Sequence, residues 1–191
     1  MLLNFFKRKI ARDPKARWEH QYKKGKWEYL HDPLEGPRFE AVIAALQRYA
    51  DKGSILEIGC GEGILQSRMQ PGSYSRYVGV DLSEVAIQKA THLNNEITHY
   101  QAADMETFTT DEKFDVVLFN ESVYYAKKPL QLMQRYAQYL KPGGHIILSI
   151  YKTADNEAVI SKITSAWPVL EQKISSNERG SWYCQVYAQQ K

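Results

Sequence analysis

The sequence has few cysteines and no long apolar segment. Its two cysteines, Cys60 and Cys184, lie far apart, so the sequence indicates neither a disulfide framework nor a metal-ligand cluster. We therefore expect no bound metal and a reduced, cytoplasmic environment. No apolar run approaches the roughly 20 residues of a membrane span, and three basic residues follow the apolar segment 1–6 too soon for a secretory signal. Integral membrane association is not expected.

Basic residues are concentrated at the N-terminus. Residues 1–26 contain nine Lys and Arg against two acidic residues, although the net charge of the 191-residue chain is only +3. Such an arm could contact an acidic substrate, an acidic protein, nucleic acid or an anionic membrane surface, or simply be solvated. With 43% hydrophobic residues, the chain can form one domain with a sizeable core. We expect no stable nucleic-acid complex, and the oligomeric state stays open.

A glycine-rich turn follows the first strongly apolar segment. Residues 54–58 (SILEI) are almost continuously apolar, as expected of a parallel strand covered on both faces. Gly59, Gly61 and Gly63 then allow a sharp turn and the close approach of a ligand. The spacing differs from the dinucleotide fingerprint G-x-G-x-x-G because position 64 is isoleucine. The turn alone is weak support for a nucleotide-sized cofactor site, so the interpretation depends on the later strands of the chain.

Strands and helices alternate along the rest of the chain. Apolar patterns predict seven strands, at about residues 54–58, 77–81, 97–101, 114–120, 145–150, 169–173 and 181–187. The last two form an antiparallel hairpin, and the alternation before them predicts an α/β fold with a doubly wound, mostly parallel sheet. Ligands of such sheets lie outside the carboxyl ends of the strands. Five polar or glycine-rich features stand at the ends of the first four strands: Glu57 and the turn at 59–63 at the first, then Asp81, Asp104 and Asn120.

Asp81 ends the second predicted strand, about 20 residues after the glycines. A carboxylate at this strand end can accept hydrogen bonds from both ribose hydroxyls of a nucleoside cofactor. Ser83 follows it in a position suited to cap the next helix. The sequence therefore predicts a nucleoside-containing cofactor at this edge of the sheet.

From about residue 15 to the C-terminus, the sequence resembles the class I S-adenosylmethionine-dependent methyltransferases. Four segments carry the resemblance, namely EIGCGEG at 57–63, VDLS at 80–83, ADM at 103–105 and LKPGG at 140–144. The resemblance implies a three-layer, Rossmann-like fold with sheet order 3-2-1-4-5-7-6, in which strand 7 is antiparallel. It also implies S-adenosylmethionine as the cofactor and methyl transfer as the activity.

Position by position, the resemblance implies contacts with the methionine and ribose parts of the cofactor. The backbone of the turn at Gly59, Cys60, Gly61 and Gly63 would pack against these parts. Asp81 would hold the two ribose hydroxyls.

The resemblance also implies residues near the adenine and near the methionine end of the cofactor. Leu82 would pack against the adenine, Asp104 would accept from its amino group, and the backbone N–H of Met105 would donate to its ring. Asn120 would reach the methionine moiety, and Glu57 would order the loop or a water near the ammonium group.

The aromatic N-terminal segment resembles that of compact small-molecule methyltransferases, including the nodulation-type N-methyltransferases. Residues 18–27 (WEHQYKKGKW) and 120–125 (NESVYY) carry this similarity. An N-terminal tyrosine closes over the methionine end of the cofactor in those enzymes, and Tyr22 is the candidate here. We predict a basic, aromatic-rich arm or lid at residues 1–37 and a cofactor-binding domain at 38–191. Alternatively, these aromatic residues only fasten the arm to the sheet.

Three residues are candidates for catalysis. Methyl transfer is an in-line displacement, so the protein mainly has to position the reactants, and a base is needed only if the acceptor arrives protonated. Glu121 is the preferred candidate because it directly follows the fourth strand. His20 is a second candidate base, and Tyr125 is a candidate contact of the acceptor.

Three other functions are compatible with the sequence: an RNA or protein methyltransferase, a nicotinamide dehydrogenase, and a non-catalytic protein that binds S-adenosylmethionine and uses its basic arm. Ile64 and the terminal hairpin disfavour a dehydrogenase. The segment NESV at 120–123 replaces the Asn/Asp-Pro-Pro-aromatic motif that is typical of enzymes acting on base amino groups. The short segment 151–168 leaves little material for a second substrate-binding domain. We therefore predict a small-molecule acceptor methylated at nitrogen or oxygen.

Overall fold

One seven-stranded sheet organises the chain, and a computed structural model describes residues 13–190. Residues 1–12 of the predicted basic arm lie outside the described residues. The strands are β1 (Ser54–Ile58), β2 (Arg76–Asp81), β3 (Thr98–Ala102), β4 (Phe114–Asn120), β5 (Leu140–Tyr151), β6 (Val169–Asn177) and β7 (Gly180–Ala188). The α-helices are α1 (Pro14–Lys23), α2 (Gly36–Tyr49), α3 (Ile64–Ser67), α4 (Glu84–Ala90), α5 (Pro129–Tyr136) and α6 (Ala154–Ala166).

The sheet has the order β3-β2-β1-β4-β5-β7-β6. The first four pairings, from β3 to β5, are parallel, whereas β7 pairs antiparallel with both β5 and β6. The predicted α/β class, strand order and antiparallel seventh strand are confirmed. Because the order reverses next to β1, the carboxyl ends of β1 and β4 border the crevice in which ligands of such sheets bind.

Alternating side chains of the central strands pack into two separate cores. Leu56 and Ile58 of β1 belong to the core that also holds α5 and α6, whereas Ile55 belongs to the core with α2. This division follows from the two-residue period of a strand, and every residue of β1 is buried. Covering both faces of the sheet gives the three-layer arrangement and leaves only the strand ends open.

The segment before the fifth strand differs in detail from the prediction. The fourth-strand residue Phe114 pairs with Leu140, but the next pair is Val116 with His145, so residues 141–144 bulge out of β5. Gly143 in this bulge has a φ of 79°. The fifth strand, predicted at about 145–150, is therefore longer and includes this excursion, and α5 ends at Tyr136, before a single turn of 3₁₀ helix.

The segment between residue 13 and α2 is mostly helical. Asp13 caps α1 by accepting from the backbone N–H of Lys15 at 2.9 Å, and two short 3₁₀ turns follow at Glu28–His31 and Pro33–Glu35. The division at residue 37 into an arm and a domain stays a prediction. Within residues 13–190, no helix combines the length and apolar character needed to cross a bilayer.

Candidate active site

A cavity of about 490 Å³ opens beyond the carboxyl ends of β1, β2 and β4. Its walls come from the loops after these strands and from aromatic side chains of the segment 18–29. Most of the residues predicted from the sequence line it, namely Tyr22, Gly59, Cys60, Gly61, Asp81, Leu82, Asp104, Met105, Asn120, Glu121 and Tyr125. The predicted convergence of the strand ends is therefore present in the structure.

The glycine-rich loop after β1 is packed tightly against its surroundings. Gly59 has a φ of 80°, and a Cβ at this position would overlap the side chain of Ser122. Gly61 has a φ of 55°, and its Cβ would lie 2.9 Å from the hydroxyl oxygen of Tyr22. The backbone N–H of Gly59 donates to the carbonyl of Val80 at 2.7 Å, which ties the loop to β2. Backbone conformation and packing both require glycine here, and they bring Tyr22 against the loop.

The Asp81 carboxylate stands at the end of β2 and faces the cavity. Its Oδ2 accepts from the backbone N–H of Gly61 at 2.9 Å, and its Oδ1 accepts from that of Ser83 at 2.8 Å. An ionised carboxylate has about four lone-pair sites, so each oxygen can accept another hydrogen bond. Burial raises the pKa of Asp81 to about 6, although the two N–H donors oppose this rise. Asp81 is thus a positioned acceptor with unused capacity.

Glu57 lies behind the cavity wall and orients Asn120. It is completely buried in β1, and its carboxylate accepts from the Tyr77 hydroxyl and, at 3.1 Å, from Nδ2 of Asn120. Burial raises the pKa of Glu57 to about 7. With its amide nitrogen turned to Glu57, Asn120 has a buried Oδ1 that finds no hydrogen-bond partner among residues 13–190. That oxygen is an acceptor left for a ligand.

Leu82, Asp104 and Met105 form the wall on the β2 and β3 side. Asp104 closes a tight turn, because its Oδ1 accepts from the backbone N–H of Glu106 at 2.8 Å. The carbonyl of Met105 accepts from the Tyr136 hydroxyl at 3.0 Å, which fixes the backbone there. Hydrogen bonds thus hold the backbone of this wall, which combines two apolar side chains with a carboxylate.

Glu121 directly follows β4 and has an unusual backbone conformation, with a φ of 56°. Its carboxylate accepts from the hydroxyls of Ser149 at 3.0 Å and Tyr124 at 3.1 Å, and from the backbone N–H of Tyr151 at 3.1 Å. Burial raises its pKa, and the nearby charge of Arg38 opposes this effect. No cation of the described chain lies within 4.0 Å of it. Three donors thus fix a carboxylate at the cavity and leave about one lone-pair site of Oε1.

A continuous aromatic wall adjoins Glu121 at the cavity, since the Tyr124 hydroxyl is hydrogen-bonded to that carboxylate. Trp18 meets Tyr125 edge-on, with ring centroids 4.9 Å apart, and Trp27 follows at 5.6 Å from Trp18. The rings of Tyr124 and Tyr125 are 4.6 Å apart. Tyr125 remains 44% exposed, so it stands at the mouth of the cavity.

His20 and Gly63 are not brought to the cavity walls. His20 is exposed on α1, because Trp18 and Tyr22, four residues apart, share the inward face and a residue midway between them points elsewhere. Gly63 is closely packed instead, because a Cβ at this position would lie 2.6 Å from the side chain of Leu93. The structure gives Gly63 a packing role and leaves His20 outside the residues that line the cavity.

A buried ion-pair network at the cavity was not predicted. Arg38 is 5% exposed and Glu35 is 1% exposed, and Nε of Arg38 donates to Oε2 of Glu35 at 2.7 Å. Arg179, from the β6–β7 turn, donates to the other oxygen of Glu35 at 2.8 Å. Both arginines line the cavity, and the terminal nitrogens of Arg38 have no hydrogen-bond partner in the described part of the chain. Glu35 and Arg179 are 144 positions apart, so no local sequence pattern indicated this network.

The strand order and the carboxylate after β2 define a Rossmann-like fold of the methyltransferase type. A family model described as a methyltransferase domain matches residues 16–190. The chain belongs to this family.

Curated relatives and solved structures agree with this assignment. The ubiquinone biosynthesis O-methyltransferase of Alkalilimnicola ehrlichii is 30% identical over 137 residues, which cover 69% of this chain and 53% of that protein. Nodulation protein S of Rhizobium tropici is 22% identical over 134 residues, covering 68% and 56%. The chain spans about half the length of the curated relatives it matches.

One solved structure covers nearly the whole chain. The N-methyltransferase NodS of Bradyrhizobium japonicum, in complex with S-adenosyl-L-homocysteine, gives a TM-score of 0.73 at 20% identity and covers 98% of both chains. At this identity the likeness shows a shared fold.

Proposed function

We propose that the protein binds S-adenosylmethionine in this cavity and transfers its methyl group to nitrogen or oxygen of a small molecule. One observation carries this function: Asp81, Asn120 and Arg38 line the cavity, and the described residues leave part of their hydrogen-bonding capacity unused. S-adenosylmethionine has two ribose hydroxyls, an ammonium and a carboxylate. The unused acceptors and donors match these groups in type.

Each of the three groups has a natural partner on this cofactor. The free lone pairs of Asp81 would accept from the ribose hydroxyls, and Oδ1 of Asn120 would accept from the ammonium. The terminal nitrogens of Arg38 would donate to the carboxylate, a pairing that suits the planar guanidinium. Glu57 acts through Asn120, because its carboxylate holds the Asn120 amide in the required orientation.

The remaining contacts follow from the shape of the cavity. The backbone of the glycine-rich loop would face the methionine and ribose parts, and the β2–β3 wall would face the adenine. The residues concerned are Gly59, Cys60 and Gly61 in the loop, and Leu82, Asp104 and Met105 in the wall.

Residues 1–37 act in this scheme as a lid over the domain at 38–191. The buried Tyr22 ring stands over the glycine-rich loop, and Trp18 and Trp27 contribute to the aromatic wall. Closing such a wall over the reactants would exclude water from the site.

Positioning is the main chemical task of the protein. S-adenosylmethionine supplies an electrophilic methyl group on a positively charged sulfur, which a lone pair of the acceptor displaces in line. Holding an acceptor in near-attack geometry can lower the barrier by about 7–11 kcal/mol. Glu121 would bind the acceptor through its free lone pair and take its proton where one must leave. Tyr125 would contact the acceptor at the cavity mouth.

Calorimetric titration with S-adenosylmethionine and S-adenosylhomocysteine tests the cofactor, with NAD as the control. We expect micromolar dissociation constants for both sulfur compounds and no heat with NAD. Absence of binding by both would contradict the cofactor site.

Matched acceptors then test the transferred group. Phenethylamine and 4-ethylphenol share one carbon skeleton and differ in the nucleophile, whereas tyramine carries both groups. Mass spectrometry of products formed with labelled cofactor would show methylation at nitrogen or oxygen. Transfer to a polynucleotide or a protein, with none to small amines or phenols, would contradict a small-molecule acceptor.

Cofactor affinity is expected to increase with pH through the titration of Asp81. Hydroxyl donors favour the ionised carboxylate, whose pKa is raised to about 6 by burial. At pH 5 only about a tenth of Asp81 is ionised, so S-adenosylhomocysteine should bind roughly tenfold more weakly than at pH 7.5. Titration calorimetry at both pH values measures this difference, and Asp81→Asn should remove most of it. An equal dependence in wild type and variant would assign the effect to another group.

A further inference from the structure

Arg179 reaches the cavity from the far edge of the sheet. It lies in the turn between β6 and β7, and its guanidinium donates to Asp32 and to Glu35, each at 2.8 Å. The same turn is fastened to the arm by Asn177, whose Nδ2 donates to the carbonyl of Leu34 at 2.7 Å. The β6–β7 turn therefore holds the segment that leads into α2.

Glu35 is shared between two arginines, one on each carboxylate oxygen. Oε1 accepts from Arg179 at 2.8 Å, and Oε2 accepts from Nε of Arg38 at 2.7 Å. With both arginines in place, Glu35 is only 1% exposed, so its hydrogen bonds are made to these side chains and not to bulk water. Each oxygen thus has one cationic donor, and Arg38 uses only one of its five N–H donors on Glu35.

We propose that Arg179 is a positioning residue that keeps the terminal nitrogens of Arg38 free for the carboxylate of the bound cofactor. This role rests on the proposed function. By holding Oε1, Arg179 fixes the Glu35 carboxylate in an orientation in which Arg38 meets it through a single bond from Nε.

The physical reason is the preference of a guanidinium for two-pronged pairing. An arginine and a carboxylate readily form two parallel hydrogen bonds, and a buried carboxylate oxygen without a donor is costly. Without Arg179, Oε1 of Glu35 would lose its donor and turn to a terminal nitrogen of Arg38. Glu35 would then compete with the ligand carboxylate for the same N–H groups.

Binding of two matched ligands tests this role. S-adenosylhomocysteine and its decarboxylated analogue differ only in the carboxylate, and Arg179→Met keeps side-chain bulk over Tyr29 while removing every donor. We expect the variant to bind S-adenosylhomocysteine about tenfold more weakly, which corresponds to about 1.4 kcal/mol. Its affinity for the decarboxylated analogue should stay at the wild-type value. An equal loss for both ligands, or no loss for either, would overturn the role.

Four further variants separate positioning from stability. Glu35→Gln, alone or added to Arg179→Met, removes the competing charge and should give wild-type or tighter binding of S-adenosylhomocysteine. Arg179→Lys keeps a cation that can reach Glu35 and should retain most of the preference for the carboxylate ligand. Lys173→Ala, an exposed cation on the same hairpin, is the control and should change nothing. Weaker binding of S-adenosylhomocysteine by Glu35→Gln would contradict competition by Glu35.

The outcomes also distinguish this role from the proposed function. If the wild-type protein binds neither ligand, the proposed cofactor site is wrong, and the role of Arg179 is wrong with it. Wild-type protein that binds S-adenosylhomocysteine no better than the decarboxylated analogue keeps the site but overturns the carboxylate contact of Arg38.

Discussion

Glutamine in place of Glu121 is expected to lower the rate constant of methyl transfer by about 10²–10⁴-fold, the usual contribution of a positioned general base. The carboxylate is fixed by Ser149, Tyr124 and the backbone of Tyr151, and it has no cationic partner within the described residues. A carboxamide keeps the shape of the side chain but can neither accept a proton nor pair with a cationic amine. The loss should therefore fall on the chemical step and on acceptor binding.

Single-turnover measurements at saturating cofactor would isolate this step. Affinity for S-adenosylhomocysteine should stay near the wild-type value, because the proposed cofactor contacts lie on Asp81, Asn120 and Arg38. In the wild type, the rate should rise with pH as Glu121 ionises, over a range shifted upward because burial raises its pKa. The glutamine variant should lack this rise.

His20→Gln is the matched control for this experiment. His20 is exposed on α1 and absent from the cavity walls, so both the rate and the affinity for S-adenosylhomocysteine should be unchanged. If Glu121→Gln retained the wild-type rate and acceptor KM, Glu121 would lie outside the acceptor site. A large effect of His20→Gln would instead require the arm to rearrange during turnover.

The strands and turns were predictable from local patterns, whereas the strand order was implied by the resemblance to the class I S-adenosylmethionine-dependent methyltransferases. Apolar runs fixed the strands, glycines and proline fixed the turns, and the two-residue period of β1 sent Leu56 and Ile55 to opposite cores. The convergence of Asp81 and Asn120 follows from the same logic, since carboxyl ends of parallel strands meet at one edge. Predicting these features requires only local sequence patterns and the strand order.

Long-range charge pairing was not predictable in this way. Arg179 meets Glu35 across 144 positions of the sequence, and nothing in the local pattern of either segment indicates the other. Glu57 shows a related limit, because the resemblance implied only that it would order the loop or a water near the ammonium group. Its side chain instead lies within the sheet face beneath Tyr77, one hydrogen bond behind Asn120. By contrast, helical spacing in α1 could have separated His20 from Trp18 and Tyr22.

Alanine in place of Asp81 is expected to weaken binding of S-adenosylhomocysteine by about 1.5–3 kcal/mol, or roughly 10–150-fold, as for loss of hydrogen bonds to a charged group. The carboxylate would hold both ribose hydroxyls, and it also orders the backbone N–H groups of Gly61 and Ser83. Titration calorimetry measures the loss of affinity. A control is needed to assign this loss to the ribose contact, because a loop loosened by the loss of the Gly61 and Ser83 hydrogen bonds could also weaken binding.

Ser83→Ala provides that control at the same strand end. Ser83 caps α4, with its Oγ accepting from the backbone N–H of Ala86 at 3.2 Å, and it does not line the cavity. Its removal should cost about 1 kcal/mol of folding stability and leave affinity for S-adenosylhomocysteine nearly unchanged. A 2′-deoxy analogue of the ligand completes the comparison. It should bind less tightly than S-adenosylhomocysteine in the wild type and equally in Asp81→Ala, because one missing hydroxyl matters only when its acceptor is present. If the 2′-deoxy penalty persisted in Asp81→Ala, another group would hold the ribose, and the proposed contact of Asp81 with the ribose would be wrong.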